Sequence, residues 1–275
     1  MADEWFKQST FSEVYQNYMI PSSTEVTNHI LTYLENKKAK PFKLAVDVAC
    51  GTGRSTRPLA PHFEKVIGID ISESQIHEAR RHTQEQNVTY QVASAHKLSL
   101  KDNSVDLING DLAVHWFNIN KFMEEAARVL NTNGCIALYG FPPKCEVHYK
   151  NMSKTLTAII NEGFNTLIKY GGKELDHIWS EYKEVFEAVP FCDKQRITGI
   201  RDMFPFTVEQ ILGFFKSSYM YQEFLKRDRN GAMAFLINMQ KQFFNTLGES
   251  DYETTLELQF EYFCVLARKT LTCGT

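Results

Sequence analysis

The sequence predicts an α/β fold in which a seven-stranded, mostly parallel sheet carries helices on both faces and a helical cap in the second half of the chain. Two observations in the first half support this fold: short β-branched runs alternate with helical patterns, and the first run ends at a glycine turn. A third observation is the β-rich run Leu256–Ala267 near the end, which suits a last strand of the same sheet. We therefore expect the 275 residues to form one domain.

The first half supplies five of the predicted strands. A short helix follows the first strand, with Ser55 or Thr56 as its N-cap and Pro58 in its first turn. The next helix begins at Ser72 and runs to about Gln86. The helix Lys121–Leu130 is followed by an Asn133-Gly134 turn. The five strands are Leu44–Val48, Val66–Ile71, Val88–Val92, Val105–Asn109 and Cys135–Gly140.

The second half changes character after Pro142-Pro143. Residues 147–188 have a helical, aromatic pattern, and Gln195–Phe204 has an extended one. Thr207 is the expected N-cap of a helix ending near Ser217, and another helix is expected over Asn230–Leu247. The predicted division is a sheet core (about 25–145 and 195–275), a helical cap (about 146–194 and 207–250) and an N-terminal cover (1–24).

Composition narrows the class of protein. The formal net charge of −3 gives no support to nucleic-acid binding. No apolar run approaches the ~18 residues of a membrane span, and the acidic N-terminus lacks the pattern of a secretion signal. The six cysteines show neither a paired nor a zinc-like spacing, so we expect reduced thiols and no metal site. These features favour a cytoplasmic protein without nucleic-acid or membrane partners.

The glycine turn has the context of a nucleotide-binding loop. Gly51-Thr52-Gly53 follows a strand and opens a helix, and glycines there let the backbone approach a ligand closely. Asp70 ends the second strand, where a carboxylate accepts both hydroxyls of a ribose. This combination predicts a cofactor that contains adenosine.

Two kinds of cofactor fit this pattern. A dinucleotide dehydrogenase would have a third glycine where this chain has Thr56, so the pyrophosphate version of the loop is incomplete. Asp47, just before the loop, suits the orientation of the loop backbone and of a methionyl amine. The residues therefore favour S-adenosylmethionine over NAD, and an NAD-linked oxidoreductase is the remaining alternative.

Four segments of the chain resemble a known family: Val46–Gly53, Gly68–Ser72, Ser104–Ile108 and Ala113–Phe117. They are similar to class I S-adenosylmethionine-dependent methyltransferases of the type 11 group, and most similar to the trans-aconitate methyltransferase-like proteins. The resemblance implies a Rossmann-like sheet and a reaction that leaves S-adenosylhomocysteine.

The resemblance also implies a set of cofactor contacts. Ser94-Ala95-His96 stands where family members often have an acidic residue for the adenine amino group, and Ser94 remains able to accept a hydrogen bond. The expected cofactor-binding residues are Asp47, Ala49, Gly51, Gly53, Asp70, Ile71, Gln75, Ser94, Ala95, Asn109 and Tyr15.

The acceptor side departs from the family pattern. His115 is a candidate general base, and Asp111, where relatives tend to be uncharged, is a candidate for attracting a cationic or hydroxylic acceptor. Tyr18, Trp116 and Ser218 are candidate substrate contacts, although Ser218 replaces the tryptophan expected there. Met19-Ile20 replaces an Arg-Pro pair in the N-terminal cover.

The predicted acceptor is a small molecule, and we expect a carboxylate oxygen because an ionised acid needs no base. The alternatives are a small-molecule N-methyltransferase that uses Asp111 to attract an amine, and a non-catalytic member that only binds the cofactor. The sequence leaves the oligomeric state open.

Overall fold

The computed structural model describes residues 8–248 and 253–270. The first seven residues of the predicted cover, residues 249–250 of the predicted cap and the last five residues of the predicted core lie outside the described residues.

The chain alternates strands and helices as the sequence predicts. The strands are β1 (Phe42–Val48), β2 (Phe63–Asp70), β3 (Val88–Val92), β4 (Val105–Asp111), β5 (Leu130–Gly140), β6 (Glu146–His148), β7 (Asp193–Thr207) and β8 (Thr255–Arg268). The helices are α1 (Ser9–Tyr18), α2 (Thr24–Glu35), α3 (Glu73–Arg81), α4 (Ile119–Val129), α5 (Ser153–Ile168), α6 (Glu174–Trp179), α7 (Lys183–Ala188), α8 (Val208–Lys216), α9 (Tyr219–Arg227) and α10 (Arg229–Leu247).

The strands form one mixed sheet in the order β3-β2-β1-β4-β5-β8-β6, and β7 also pairs with β8. The first five strands run parallel, whereas β8 is antiparallel to both β5 and β6. The mostly parallel fold is therefore confirmed. The described sheet has eight strands and not the predicted seven, because β6 lies at the start of a segment expected to be helical. Three residues are too few for their period-two pattern to stand out beside the helix that follows.

The central strands have apolar sequences because they are buried. β4 is buried from Val105 to Gly110, and β1 is buried from Ala45 to Val48. Strands that are covered on both faces read as continuous apolar runs, which is the pattern that predicted a parallel sheet. The apolar core cluster includes residues of β1, β2, β4 and β5 together with Tyr182 and Phe263.

Two helix predictions need correction. The helix capped by Ser72 ends at Arg81, well short of Gln86, and residues 84–85 are no longer helical. Ser72 does accept a hydrogen bond from the Gln75 amide, as an N-cap should. After the glycine loop the chain forms only a 3₁₀ turn, Arg57–His62, without a side-chain cap. The Ser55 and Thr56 hydroxyls have a different partner, Asp47.

Two other turns differ in detail. Helix α4 begins at Ile119 with Asn118 as its cap, two residues before the predicted start. Asn133, with a φ of +63°, lies inside β5 at a shift in register between β4 and β5, and not in a separate turn. Asparagine tolerates this conformation better than most residues.

The chain groups into two compact units. Among the described residues, the core unit comprises Ser22–Phe141, Glu174–Ile200 and 262–270, and the helical unit comprises 8–21, Pro142–Lys173, 201–248 and 253–261. Residues 174–194 thus group with the sheet, although the sequence pattern assigned them to the cap.

The helical unit is held together by aromatic packing. Tyr170 stacks on Phe224, and Phe164 packs on Phe215, with ring centroids 4.1 and 5.0 Å apart. Helix α1 packs on α8, where the ring of Tyr18 lies over Gly213 so closely that a Cβ at this glycine would overlap it.

The cysteine prediction is correct for the buried thiols. Cys50, Cys135, Cys145 and Cys264 are free and buried. It is wrong for Cys192, which is exposed and disulfide-bonded. An exposed thiol is accessible to a second thiol, whereas a buried one is not. None of the helices in the described residues is long and apolar enough to cross a bilayer.

Candidate cofactor site

The order of the strands places a crevice beside β1. The chain passes from β1 to β2 and β3 on one side, and then crosses over to β4 and β5 on the other. Ligands of open parallel sheets bind at the carboxyl ends of the strands where this order reverses. At that edge, Asp47 of β1 lies opposite Asn109 of β4. Residues at the ends of these strands are therefore the first candidates for ligand contacts.

The glycine loop after β1 has three residues in the left-handed region: Ala49 (φ +51°), Gly51 (φ +53°) and Gly53 (φ +78°). Gly53 is needed for space as well as for φ, because a Cβ there would overlap the Tyr90 ring. The Tyr90 hydroxyl lies 2.9 Å from the Thr83 hydroxyl, so the ring under the loop is itself held in place. The close packing of the loop was invisible in the sequence, since Tyr90 lies on β3.

Asp70 ties the loop to the second strand. One carboxylate oxygen accepts a hydrogen bond from the Gly51 amide at 2.9 Å, and the other accepts from the Ser72 amide at 2.8 Å. Each carboxylate oxygen has a second lone pair, so these bonds leave Asp70 able to accept from hydroxyl groups.

Asp47 is fully buried and is the centre of a hydrogen-bond network. It accepts from the hydroxyls of Ser55 and Thr56 at 2.8 and 2.6 Å, and from the Asn109 amide at 2.7 Å. Burial raises its pKa to about 6, although these three donors act in the opposite direction. Asp47 thus joins the loop to β4, and the sequence prediction that it orients the loop agrees with this geometry.

Several buried polar atoms near the loop have no hydrogen-bond partner in the described residues. They are Thr52 Oγ1, Asn109 Oδ1, Asp111 Oδ1 and both amide atoms of Gln75. Buried polar atoms are rarely left unpaired, because each costs ~1–3 kcal/mol of desolvation. A ligand with several donors and acceptors, such as the methionyl and nucleoside parts of S-adenosylmethionine, would satisfy atoms of this kind. The residues present therefore fit the predicted cofactor.

An apolar surface lies next to Asp70. Ile71 follows Asp70, and Val92 is the partner of Asp70 across β2 and β3. Both are apolar yet half exposed, at 53% and 50%. Exposed apolar side chains at the ends of two neighbouring strands suit a flat aromatic ligand such as adenine. In the loop that follows β3, Ser94 Oγ accepts from the His96 amide, and Ala95 is buried.

Asp111 ends β4 in an environment that disfavours its charge. Burial, and then the negative charge of Asp47, raise its pKa to about 8, while Arg54 acts in the opposite direction. Its neighbour across the sheet is Tyr139, whose hydroxyl lies 3.4 Å from the Asn109 amide nitrogen. In the protein without ligand, Asp111 is thus mostly protonated at pH 7.

His115 lies in a 3₁₀ turn, Val114–Trp116, after β4. Its Nδ1 is 2.8 Å from the hydroxyl of Tyr182, and the centroid of its ring is 5.0 Å from that of the Trp116 ring. Burial, with a smaller effect of His177, lowers its pKa to about 3. A histidine with so low a pKa is a weak base at neutral pH.

Tyr182 was not a predicted site residue. It is fully buried and has a left-handed backbone (φ +57°), as does Glu181 before it. Such a conformation is costly for a bulky residue and requires support from its surroundings, here from His115 and the Phe263 ring. Since 67 residues separate it from His115, no local signal in the sequence pointed to this pair.

The other predicted contacts belong to the helical unit. Tyr15 and Tyr18 lie on α1, and Ser218 is the N-cap of α9. Within this unit Tyr18 packs on Gly213, and the Met19 sulfur lies 4.0 Å from the Ser217 hydroxyl. The roles of these residues toward cofactor or acceptor stay predictions.

Comparison with known proteins agrees with this geometry. A model of the methyltransferase domain matches residues 46–138, which span β1 to β5. A provisionally named methyltransferase of Dictyostelium discoideum is 26% identical over 96% of this chain and 95% of its own length. A probable S-adenosylmethionine-dependent methyltransferase of Saccharomyces cerevisiae is 24% identical over 96% of this chain and 98% of its own length.

A similar fold is found in a provisionally named type II methyltransferase from Anaeromyxobacter dehalogenans. The two structures have a TM-score of 0.72 and 21% sequence identity, over 91% of this chain and 98% of the other. The likeness in fold, the domain match and the geometry of the loop agree on one cofactor and one kind of chemistry. The chain is a class I S-adenosylmethionine-dependent methyltransferase.

Proposed function

We propose that the enzyme methylates a carboxylate oxygen of a small-molecule acceptor. The observation that carries this proposal is the state of the two candidate catalytic residues in the core unit, the candidate base His115 and Asp111. His115 has a pKa of about 3 and Asp111 one of about 8, and each shift has burial as its main cause. An alcohol or amine acceptor must lose a proton to a base, whereas a carboxylic acid is already ionised at neutral pH. Because His115 is a weak base and Asp111 holds its proton, the site favours an acceptor that is already ionised, and a carboxylic acid is such an acceptor.

In this proposal, S-adenosylmethionine supplies an activated methyl group on a sulfonium. The roles of the protein are to hold the donor and to exclude water. Asp70 would bind the ribose hydroxyls, Ile71 with Ser94 and Ala95 would contact the adenine, and Asn109 would meet the methionyl part. Correct alignment of two reactants can supply ~7–11 kcal/mol of barrier reduction without any acid or base.

A second candidate is transfer to an amine. It is favoured by Asp111, whose buried carboxyl oxygen has no hydrogen-bond partner in the described residues. Such a group would attract a cationic acceptor.

Three other expectations from the sequence also stay predictions. They are the similarity to trans-aconitate methyltransferase-like proteins, a cytoplasmic location and the lack of a nucleic-acid partner.

The test is a transfer assay with tritiated methyl donor over small acids, amines and phenols, with trans-aconitate among the acids. A methyl ester releases volatile tritiated methanol in mild alkali, whereas an N-methyl product does not. We expect alkali-labile counts from an acid and a rate that is flat above pH 6, where the acceptor is fully ionised. Alkali-stable counts, or a rate that rises with pH as an amine loses its proton, would establish the second candidate instead.

Two variants provide the controls. Asp70→Ala should abolish binding of S-adenosylhomocysteine in a calorimeter and with it all transfer. Asp176→Ala makes the same change at an exposed position of α6 and should leave both unchanged. Transfer that survives in Asp70→Ala would refute the ribose assignment, and heat from NAD but not from S-adenosylhomocysteine would refute the cofactor.

A further inference from the structure

Asp111 differs from the other acidic residues at this edge of the sheet. Asp47 accepts three hydrogen bonds and Asp70 accepts two from the backbone. Asp111 Oδ1 is buried and accepts none from the described residues, and Asn109 Oδ1 beside it is also without a partner. Asp111 as a whole is partly buried, but its Oδ1 has lost its hydration without gaining a hydrogen bond from the described residues. The missing partner is therefore to be sought in a ligand.

The charges around Asp111 indicate what kind of ligand that is. The ionisable groups that face it are Asp47, Arg54, Tyr139, Tyr182 and Cys264. Burial raises the pKa of both tyrosines and of the cysteine well above neutral, so these groups are uncharged. Asp47 and Arg54 offset each other in charge while Asp111 keeps its proton, so ionisation of Asp111 makes the pocket negative, and a bound cation favours that ionisation.

The methyl donor and the product of the reaction differ in the charge on their sulfur. S-adenosylmethionine and S-adenosylhomocysteine share their nucleoside, ammonium and carboxylate groups, and only the donor carries a positive sulfur. We propose that Asp111 is a specificity-determining residue that recognises the sulfonium charge, so that the enzyme prefers the donor over its own product. This rests on the cofactor placement proposed above and is independent of the chemistry of the acceptor.

Proton linkage follows from the same geometry. A cation next to a buried carboxyl group favours the ionised form, so the donor should displace the proton of Asp111 when it binds. The product lacks that charge, so the group keeps its proton. Once the methyl group has left, the sulfur is neutral and Asp111 takes up a proton again, so the product complex lacks the charge pair that favours the donor. Asp111 would thus relieve product inhibition as well as select the donor.

The experiment is isothermal calorimetry at pH 7 in two buffers of different ionisation enthalpy, with donor and product titrated separately. The difference in heat between the buffers counts the protons released. We expect the wild type to release on the order of half to one proton more with S-adenosylmethionine than with S-adenosylhomocysteine, because Asp111 starts mostly protonated. This readout needs neither turnover nor an acceptor.

The matched variant is Asp111→Asn, which keeps the shape and removes the charge. It should abolish the difference in proton release and weaken donor binding by ~10-fold or more, since the lost charge pair lies in a poorly hydrated site. Product binding should change by less than about threefold on the same reasoning. The melting temperature of the variant with saturating product shows that it is folded and that the site is intact.

Three results would overturn the inference. Equal proton release with both ligands would mean that any linkage comes from the shared ammonium group. An unchanged difference in Asp111→Asn would show that a group other than Asp111 releases the proton. Equal weakening of both ligands would make Asp111 a general contact without preference for charge. Failure of both ligands to bind the wild type would refute the cofactor placement itself, which is a distinguishable outcome.

Discussion

Two threonines of the glycine loop offer a direct test of the buried hydrogen-bond network. Thr52 and Thr56 are both fully buried. The Thr56 hydroxyl donates to Asp47 at 2.6 Å, whereas the Thr52 hydroxyl has no partner in the described residues. Replacement of either by valine keeps the shape of the side chain and removes one hydroxyl, so the two variants differ only in what that hydroxyl does.

The two substitutions should change the free energy of unfolding differently. A hydrogen bond to a charged group is worth ~1.5–3 kcal/mol, so Thr56→Val should lower the free energy of unfolding by about 2 kcal/mol above pH 7, where Asp47 is ionised. Thr52→Val removes a hydroxyl that is buried without a partner, so it should leave stability unchanged or raise it by ~1 kcal/mol. The melting temperatures of the two variants should then differ by about 4–10 °C.

Chemical denaturation of the protein without cofactor, at pH 7.5, measures both values. Calorimetry with S-adenosylhomocysteine adds a second readout, because Thr52→Val should weaken binding if its hydroxyl serves the ligand. Equal losses of stability in the two variants would refute the reasoning, since they would show that the valine side chain itself, and not the bond to Asp47, determines the change.

The remaining predictions concern the backbone, the pH dependence and the strained tyrosine. Gly53→Ala should destabilise the protein by at least ~1 kcal/mol more than Gly248→Ala in thermal melts, since both have a φ of +78° but only Gly53 has Tyr90 in the way; equal losses would show that φ alone matters. Because the pKa of Asp111 is raised to about 8, the folded protein binds this proton more tightly than the unfolded chain, and stability should fall as pH rises from about 4 to 8. In Asp111→Asn, urea denaturation should show ~2 kcal/mol less of this fall between pH 6 and 8, and an unchanged slope would contradict the burial of this carboxyl group. Tyr182→Phe should cost ~1 kcal/mol by loss of the bond to His115, measured by denaturation against the same change at the partly buried Tyr170.

Much of the core unit follows from local patterns. The strand β1, the loop after it and Asp70 at the end of β2 are neighbours in sequence, and each has its own signal: a β-branched run, closely spaced glycines and a carboxylate before a capped helix. The N-caps Ser72 and Thr207 were recognised correctly because capping is decided within four residues. The first site residues could be named for the same reason.

Other features depend on contacts that no local pattern contains. The three-residue strand β6 exists only because β8, more than a hundred residues later, offers it an edge. Ser55 and Thr56 resemble helix caps in sequence, yet their hydroxyls bond to the buried Asp47 and the expected α-helix is a 3₁₀ turn. A cap hydroxyl accepts from a helix amide, whereas these hydroxyls donate to a buried carboxylate, and a hydrogen bond to a charged acceptor is stronger than one between neutral groups.

The sequence by itself determined the five parallel strands of the first half, the position of the cofactor loop and the chemistry of its two carboxylates, because each of these is written within a short stretch of chain. Only the tertiary structure decided the protonation of Asp111, the low pKa of His115 and its pairing with Tyr182. The physical reason is that pKa values and hydrogen-bond satisfaction depend on burial and on the charges of distant residues, and both arise only when the strands are brought together.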